Sequence, residues 1–241
     1  MLYFSRGDSM STLYELTLVP LFILLGLYIF LYLRFQQSNY RHVSRNSFFK
    51  TFINKGFWGE YRIFATLEKL AKPHHILTNL YIPRKDGTTT EIDLIYLSIQ
   101  GIFVIESKNY SGWIFGNEKQ KYWTQTFENK QKFRFFNPIW QNAAHISALK
   151  EVLPEELSQH LHSLIVFNNQ ATLKKVTVAS ENIHVIKREQ LKGTLQQMNN
   201  TISDFLSPTQ LAEISRLLSA FTHPDEQIKQ QHIATIQAKQ K

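Results

Sequence analysis

The chain has 241 residues, of which 43% are hydrophobic and 13% aromatic. This is enough for one ordinary domain with a packed core, and it excludes a wholly disordered chain. The absence of cysteine excludes disulfides, thiolate nucleophiles and cysteine-based zinc sites. The net charge is +8, and a basic chain of this kind suits a polyanionic partner, either nucleic acid or an anionic membrane face.

The first predicted element is an apolar helix that follows a short N-terminal segment, residues 1–12. Residues 16–33 read LTLVPLFILLGLYIFLYL and contain no charge. At about 1.5 Å per residue, this run is just long enough to cross a hydrocarbon core of roughly 30 Å. We therefore predict a transmembrane helix over residues 13–34.

Two other interpretations of this segment stay open. A cleaved signal peptide fits less well, because Asp8 and Glu15 precede the run and no small-residue cleavage site follows it. The second alternative is a buried core helix.

The charges that flank the apolar run predict its orientation. Basic residues are frequent within about 20 positions after the run, whereas a single arginine precedes it. The positive-inside rule therefore predicts a single-pass protein of the cell membrane whose C-terminal part faces the cytoplasm. Residues 35–54 hold much of this positive charge, and we predict them to be a basic tether.

Residues 55–170 show the pattern of a folded α/β domain. Connections between the first three predicted strands are too short for anything but antiparallel neighbours, and the second and third strands are apolar on both faces. A later strand can return parallel through the helix that Asn137 and Pro138 begin. The predicted helices are at about 58–71 and from 137, and the predicted strands are at about 76–82, 90–97, 102–108 and 161–167.

The remaining segments complete the predicted domain. The aromatic runs at 113–115 and 121–127 are interpreted as an edge excursion of the sheet. A short strand near 183–186 and two helices belong to residues 171–221, which we expect to pack on the domain. Residues 222–241 are rich in Gln and Lys, and we expect a disordered tail. No glycine-rich phosphate loop is present, which argues against a nucleotide cofactor.

Three charged residues at the ends of two buried strands carry the chemistry. Glu106 and Lys108 are two apart in a strand, so their side chains share a face. Asp93 precedes Ser98 by the same number of residues by which Glu106 follows Gly101. If the two strands pair around the intervening turn, both carboxylates meet on one face.

This arrangement predicts a magnesium site. Two carboxylates at the end of a sheet suit Mg²⁺, which prefers oxygen ligands, and Mn²⁺ is a possible substitute. Lys108 on the same face can orient or deprotonate an attacking water and neutralise developing negative charge. The alternative is a structural ion pair, because a D-x12-E-x-K pattern alone has many chance matches.

Two further predicted helices supply candidates for the same site. Glu60 lies on the apolar stripe of the first predicted helix, where a carboxylate that reaches the metal is one explanation and a helix-capping charge is another. Gln141 and His145 share a face of the Asn137 helix and could point toward a phosphate or a base. Gln141 as a solvated helix residue is the alternative.

Several sequence blocks together resemble the NERD (nuclease-related domain) family. They are GFWGE at 56–60, EIDLIYLSIQGIFVIESKNYSGWIFG at 91–116 and NPIWQNAAHISAL at 137–149. The resemblance implies a restriction-endonuclease-like mixed sheet of the PD-(D/E)xK superfamily, with a Mg²⁺-dependent DNase-type site. It implies catalytic roles for Glu60, Asp93, Glu106, Lys108 and Gln141, with the metal held by Asp93, Glu106 and Glu60.

The resulting hypothesis is a membrane-anchored, Mg²⁺-dependent nuclease that hydrolyses phosphodiester bonds of nucleic acid, with DNA as the expected substrate. Two alternatives keep the same fold. One is a non-catalytic nucleic-acid-binding module, against which the retention of four charged residues argues, because apolar replacements would be more stable. The other is a membrane scaffold whose positive charge serves anionic lipid.

Overall fold

The computed structural model of the protein describes residues 6–240. The described chain contains both α-helices and β-strands, which confirms the predicted α/β class. The helices are α1 (Arg6–Gln36), α2 (Tyr40–Ser44), α3 (Phe48–Ile53), α4 (Lys55–Leu67), α5 (Pro138–Val152), α6 (Arg188–Thr201), α7 (Pro208–Ser219) and α8 (Glu226–Gln240), with a 3-10 helix at Glu155–His160. The strands are β1 (His74–Pro83), β2 (Thr89–Ser98), β3 (Gly101–Lys108), β4 (Gly112–Asn117), β5 (Tyr122–Thr126), β6 (Lys132–Phe136), β7 (Leu161–Phe167), β8 (Ala171–Thr177) and β9 (Ile183–Lys187).

Helix α1 contains a segment, Leu18–Gln36, that is long and apolar enough to cross a membrane. Its mean hydropathy is 2.2, and only 6% of it is buried inside the protein. A signal sequence near the N-terminus has the same length and composition. Residues 1–5 of the predicted N-terminal segment lie outside the described residues.

The central sheet has the strand order β1-β2-β3-β7-β9. β1, β2 and β3 form the predicted antiparallel meander, and Ser98 pairs with Gly101 at its second turn. β7 lies parallel to β3, as predicted for a strand that returns through α5. β9 extends the parallel part beyond β7.

Helices cover both faces of this sheet. On one face α4 and α6 pack through Phe64 and Leu195 against Phe103 of β3. On the other face α5 and α7 bury Leu149 and Leu211. β2 and β3 are buried almost throughout, because apolar side chains on both of their faces contact a layer of helices. Glu106 and Lys108 lie near the end of β3, whereas Glu91 and Asp93 lie in the half of β2 that extends beyond its pairing with β3.

A second sheet forms where the sequence suggested only an edge excursion. Its order is β6-β5-β4-β8, with β8 parallel to β4. The sheet packs on the first through Trp123, whose ring stacks on Phe167 at 6.3 Å between centroids. β6 and β8 escaped prediction because most of their side chains are solvent-exposed, so their sequences do not show the buried apolar face that marks a core strand.

Residues 35–54 are a helical part of the core, and the predicted basic tether is wrong there. α2 and α3 occupy most of this segment, and Phe35, Tyr40 and Phe48 are all buried. Their rings contact one another at centroid distances of 5.4–6.1 Å. The charges of this segment pointed to a tether, whereas its aromatic residues determine the packing.

The C-terminal segment also differs from the predicted disordered tail, because Glu226–Gln240 forms α8. The helix is held through a polar residue, which an apolar pattern cannot reveal. The imidazole Nδ1 of the buried His232 lies 3.1 Å from the Thr89 carbonyl and 3.2 Å from its hydroxyl. Lys241 lies outside the described residues.

Candidate active site

The carboxylates of Asp93 and Glu106 come together at the end of the β2–β3 ladder. The ladder's last described pair at this end is Leu94 with Ile105, so these two residues follow it directly. The backbone N–H of Ser107 donates to Asp93 Oδ2 at 2.8 Å. Glu106 is only 1% exposed. The structure therefore places the two carboxylates on neighbouring strands, as their spacing predicted.

Glu106 is the centre of a hydrogen-bonded cluster. Lys108 Nζ donates to Glu106 Oε1 at 2.6 Å, and the second carboxylate oxygen lies 3.1 Å from His145 Nε2. The same ammonium donates to Gln141 Oε1 at 3.0 Å. Gln141 is therefore brought to the site through its contact with Lys108, and not through a carboxylate.

Glu60 approaches the same region from α4. Its side chain is 8% exposed, and the Tyr40 hydroxyl lies 3.5 Å from Glu60 Oε2. The preceding Gly59 lets α4 approach the end of β3, because a Cβ at this position would stand 2.9 Å from the Asn109 Cβ. The glycine of the GFWGE block thus permits the close approach that positions Glu60.

The three carboxyl groups lie close enough together to influence one another's ionisation. Burial, the Glu91 charge and the Glu106 charge raise the pKa of Glu60 to about 8, against a weaker lowering by Tyr40. Burial and the charges of Glu106 and Glu60 raise the pKa of Asp93 well above its usual range. Burial opposes ionisation of Glu106 too, but the Lys108 charge and the His145 contacts outweigh it and lower the pKa of Glu106.

Lys108 is held in its charged form. Burial acts to lower the pKa of its ammonium, but the charge and hydrogen bond of Glu106, together with the Asp93 charge, raise the pKa above the ordinary value. Lys108 therefore fits an electrostatic role better than the role of a proton acceptor.

His145, which the sequence placed on the same helix face as Gln141, contacts Glu106, whereas Thr90 and Asn142 were not predicted near the site. An ionised carboxylate only accepts hydrogen bonds, so His145 Nε2 donates to Glu106, and in the neutral ring Nδ1 accepts from the Thr90 hydroxyl at 2.7 Å. Asn142 Nδ2 donates to the Val104 carbonyl at 2.9 Å.

The donor chemistry of the site fits a divalent cation. Carboxylates that raise one another's pKa by repulsion are stabilised by a nearby cation, and oxygen ligands are those that Mg²⁺ prefers. Within the described chain, only Ser107 donates a hydrogen bond to the Asp93 carboxylate. No three His, Asp or Glu side chains among the described residues are already close enough together to form a metal site. Metal binding would therefore require the Glu60 and Glu106 side chains to adjust.

Comparisons with known proteins identify a family and one relative. The family model described as nuclease-related domain matches residues 55–168, which hold all five candidate residues. The chain is 32% identical over 180 residues to an uncharacterized protein of Bacillus anthracis, an alignment that covers 74% of this chain and 82% of the relative. No solved structure matches the chain significantly.

Proposed function

Because the chain belongs to the nuclease-related domain (NERD) family, we propose that it is a Mg²⁺-dependent nuclease that hydrolyses phosphodiester bonds, with DNA as its substrate and Mn²⁺ as a possible substitute metal. One observation carries this proposal. Asp93, Glu106 and Lys108 lie where the pairing of β2 with β3 ends, in a largely buried sheet, with Glu60 held nearby. Charges in such a place cost free energy unless they are paired or bind a cation, so a functional reason for them is needed.

Each residue of the candidate site would have a separate role in hydrolysis. When Asp93, Glu106 and Glu60 bind a divalent cation, it supplies Lewis acidity and a water of low pKa. Lys108 keeps its positive charge near the site and can stabilise the negative charge that develops on the phosphate. Gln141 and Glu106 fix the direction of the Lys108 ammonium. His145 orients Glu106 and is a positioning residue.

The second sheet supports nucleic acid as the partner. It exposes aromatic rings beside cationic side chains, the combination that binds single strands by stacking and charge. The Arg134 guanidinium lies 4.9 Å from the Tyr122 ring centroid, and Lys174 Nζ lies 6.0 Å from that of Trp113. Tyr122 and Trp113 are both exposed, which leaves their rings accessible to bases.

Cleavage assays with substitutions at the site test the proposal. The full chain in detergent micelles should cut linear DNA with Mg²⁺, and EDTA should abolish cleavage. Asp93→Asn and Lys108→Met should each reduce the rate at least about 100-fold, the usual effect of losing one electrostatic catalytic group. Asp204→Asn and Lys85→Met change the same charges at exposed positions and should leave the rate unchanged. Equal rates in all four variants would refute the proposal.

A non-catalytic nucleic-acid-binding module is the second candidate. The 2.6 Å ion pair between Lys108 and Glu106 favours it, because this pair neutralises Glu106 without any metal. Such a module would bind DNA in EDTA with an affinity that falls as the salt concentration rises, and would show no cleavage with Mg²⁺ or Mn²⁺ in the assay above.

We further propose that α1 anchors the protein in the cell membrane, with the domain at the cytoplasmic face. Helix α3 supports this placement, because it packs on α1 through Phe48 and turns Phe49 and Ile53 to solvent. These exposed apolar side chains continue the apolar surface of α1 at its C-terminal end. The protein should remain in the membrane pellet after alkaline carbonate extraction, and protease added outside intact cells should leave the domain uncut. Release by carbonate would refute anchoring, and digestion would refute the orientation.

A further inference from the structure

A small cleft opens beside Lys108, on the side of β3 that faces α4 and α6. Its walls include the carboxyl ends of β3 and β7, represented by Asn109 and Asn168. Because β3 and β7 are parallel, their carboxyl ends meet at one edge of the sheet, where α/β proteins commonly bind ligands. Asn168 Nδ2 donates to Asn109 Oδ1 at 2.6 Å, which joins the two strand ends.

Two arginines, Arg62 of α4 and Arg188 of α6, line this cleft from the helix side. In the described part of the chain neither guanidinium forms an ion pair, although both are half-buried. Arg188 Nε is buried and has no hydrogen-bond partner among the described residues. Burial and the Arg62 charge lower the pKa of Arg188, against a weaker opposite effect of the Glu189 charge. Glu189 is itself paired with Lys187 at 2.6 Å, so it does not neutralise the two guanidinium groups.

Two like charges in one cleft are unfavourable unless an anion joins them. Lys108 adds little to this excess, because Glu106 neutralises it. The uncompensated charge is therefore that of the two guanidinium groups. A phosphate monoester carries between −1.5 and −2 charges at about pH 7, which matches this excess, whereas an internal phosphodiester carries only one.

We propose that the cleft between Arg62 and Arg188 binds the terminal phosphate monoester of a nucleic-acid strand, next to the candidate active site. Guanidinium groups bind phosphate oxygens in a bidentate manner, which lysine cannot reproduce. A strand end held there would pass its adjoining nucleotides toward Asp93 and Lys108. The inference rests on the proposed function in that it takes nucleic acid as the ligand, and it refines that function to cleavage near strand ends.

Binding in EDTA tests the cleft separately from catalysis. The full chain in detergent micelles is titrated against a short, internally labelled single-stranded oligonucleotide. The oligonucleotide carries a 5′-phosphate, a 3′-phosphate or only hydroxyl ends, and a circular form has no end. One phosphate-ended form should bind about tenfold more tightly than the hydroxyl-ended form, the effect of one or two charge-assisted hydrogen bonds.

Substitutions then assign this preference to the two arginines. Arg62→Gln and Arg188→Gln should each bring the affinity ratio close to one. Arg216→Gln removes the same charge from the exposed face of α7 and should leave the ratio unchanged. Arg188→Lys keeps the charge without the bidentate geometry and should give an intermediate ratio, which serves if the glutamine variants unfold.

Three results would overturn the inference. The first is equal affinity of the wild-type protein for all four oligonucleotides. The second is a preference for phosphate ends that survives the double Arg62→Gln, Arg188→Gln substitution. The third is a loss of affinity in Arg188→Gln that is equal for the circular and the phosphate-ended forms. End preference without any cleavage would refute the nuclease and keep the cleft. Cleavage without end preference would refute the phosphate-binding cleft and keep the nuclease.

Discussion

At the residue scale, Glu60 is a carboxyl group surrounded by protein and by other acids. Burial and the Glu91 charge raise its pKa from the ordinary 4.5 to about 8, so its ionisation opposes folding. The group binds its proton more tightly when folded than when unfolded. Its stabilising effect is therefore complete below pH 4.5 and is lost as the pH rises through about 8.

This linkage predicts a pH-dependent difference between the wild-type protein and Glu60→Gln. Without divalent cations, the free energy of unfolding of the wild-type protein should fall relative to that of the variant between pH 5 and pH 8, as expected when a buried carboxyl must ionise. Urea unfolding of both proteins in micelles measures the difference. Added Mg²⁺ should restore the wild-type protein at pH 8 if the cation binds the carboxylates. Parallel pH profiles would contradict the assigned environment of Glu60.

His145 predicts a second residue-scale effect. In His145→Leu the Glu106 carboxylate loses one donor and the Thr90 hydroxyl loses its acceptor. The free energy of unfolding should fall by about 1–3 kcal/mol, and cleavage should slow. Thr90→Val removes only the outer hydrogen bond and should cost about 1 kcal/mol. Urea denaturation should therefore rank wild type above Thr90→Val and Thr90→Val above His145→Leu; a His145→Leu protein as stable as wild type would be inconsistent with this network.

At the scale of elements, β2 and β3 were predictable because their apolar runs, the turn at Ser98–Gly101 and the matched spacing of Asp93 and Glu106 all agree. The second sheet was not predictable in the same way. Its β4 and β5 pack on the first sheet through contacts such as Trp123 on Phe167, between residues far apart in the chain. Contacts at that separation leave no periodic signal in either strand.

The surroundings of two glycines, Gly116 in β4 and Gly193 in α6, predict opposite effects of substitution by alanine. In Gly116→Ala the new Cβ would overlap the Trp123 ring, which lies in the core, so the free energy of unfolding should fall by about 1–3 kcal/mol. Gly193 lies inside α6 with no atom within 4 Å of its Cβ position. Gly193→Ala should therefore stabilise the helix by about 0.5–1 kcal/mol. Urea denaturation of both variants checks the opposite signs, and a shift of the same sign in both would contradict this packing.

His145 and Arg188 show why the site was only partly predictable. Asp93, Glu106 and Lys108 lie on strands whose alternation fixes the direction of their side chains. His145 meets Glu106 only through the packing of α5 on the sheet, and Arg188 meets Arg62 only through that of α6 beside α4. Helix-to-sheet packing depends on many side chains at once, so no local pattern contains it.

At the scale of the whole molecule, α1 is continuous with the folded domain. Phe35, the residue before its last, is fully buried and lies 5.2 Å from Tyr61 between ring centroids. Tyr61 is the neighbour of Glu60 on α4. The apolar helix and the candidate active site therefore share one packed cluster, with no extended linker between them.

This cluster predicts a contrast between two phenylalanines. Phe35→Ala empties a buried position and should lower the free energy of unfolding by about 3–5 kcal/mol. Phe49 is 67% exposed on α3, so Phe49→Ala should change stability by less than about 0.5 kcal/mol. Urea unfolding in micelles measures both. If Phe49 contacts lipid, its replacement should instead weaken binding of the protein to vesicles. A large loss of stability in Phe49→Ala would place this residue in the core.

The contact of Phe35 with Tyr61 has a geometric consequence for an anchored enzyme. A domain on a long linker searches a hemisphere around its anchor, whereas this one, with α1 anchored as proposed above, would stay close to the point where α1 emerges from the bilayer. Diffusion of the enzyme would then be confined to two dimensions. Only the part of a long polymer that comes down to the lipid surface could be cut, so the rate would follow how closely the nucleic acid approaches the membrane, and not how much of it the cell contains.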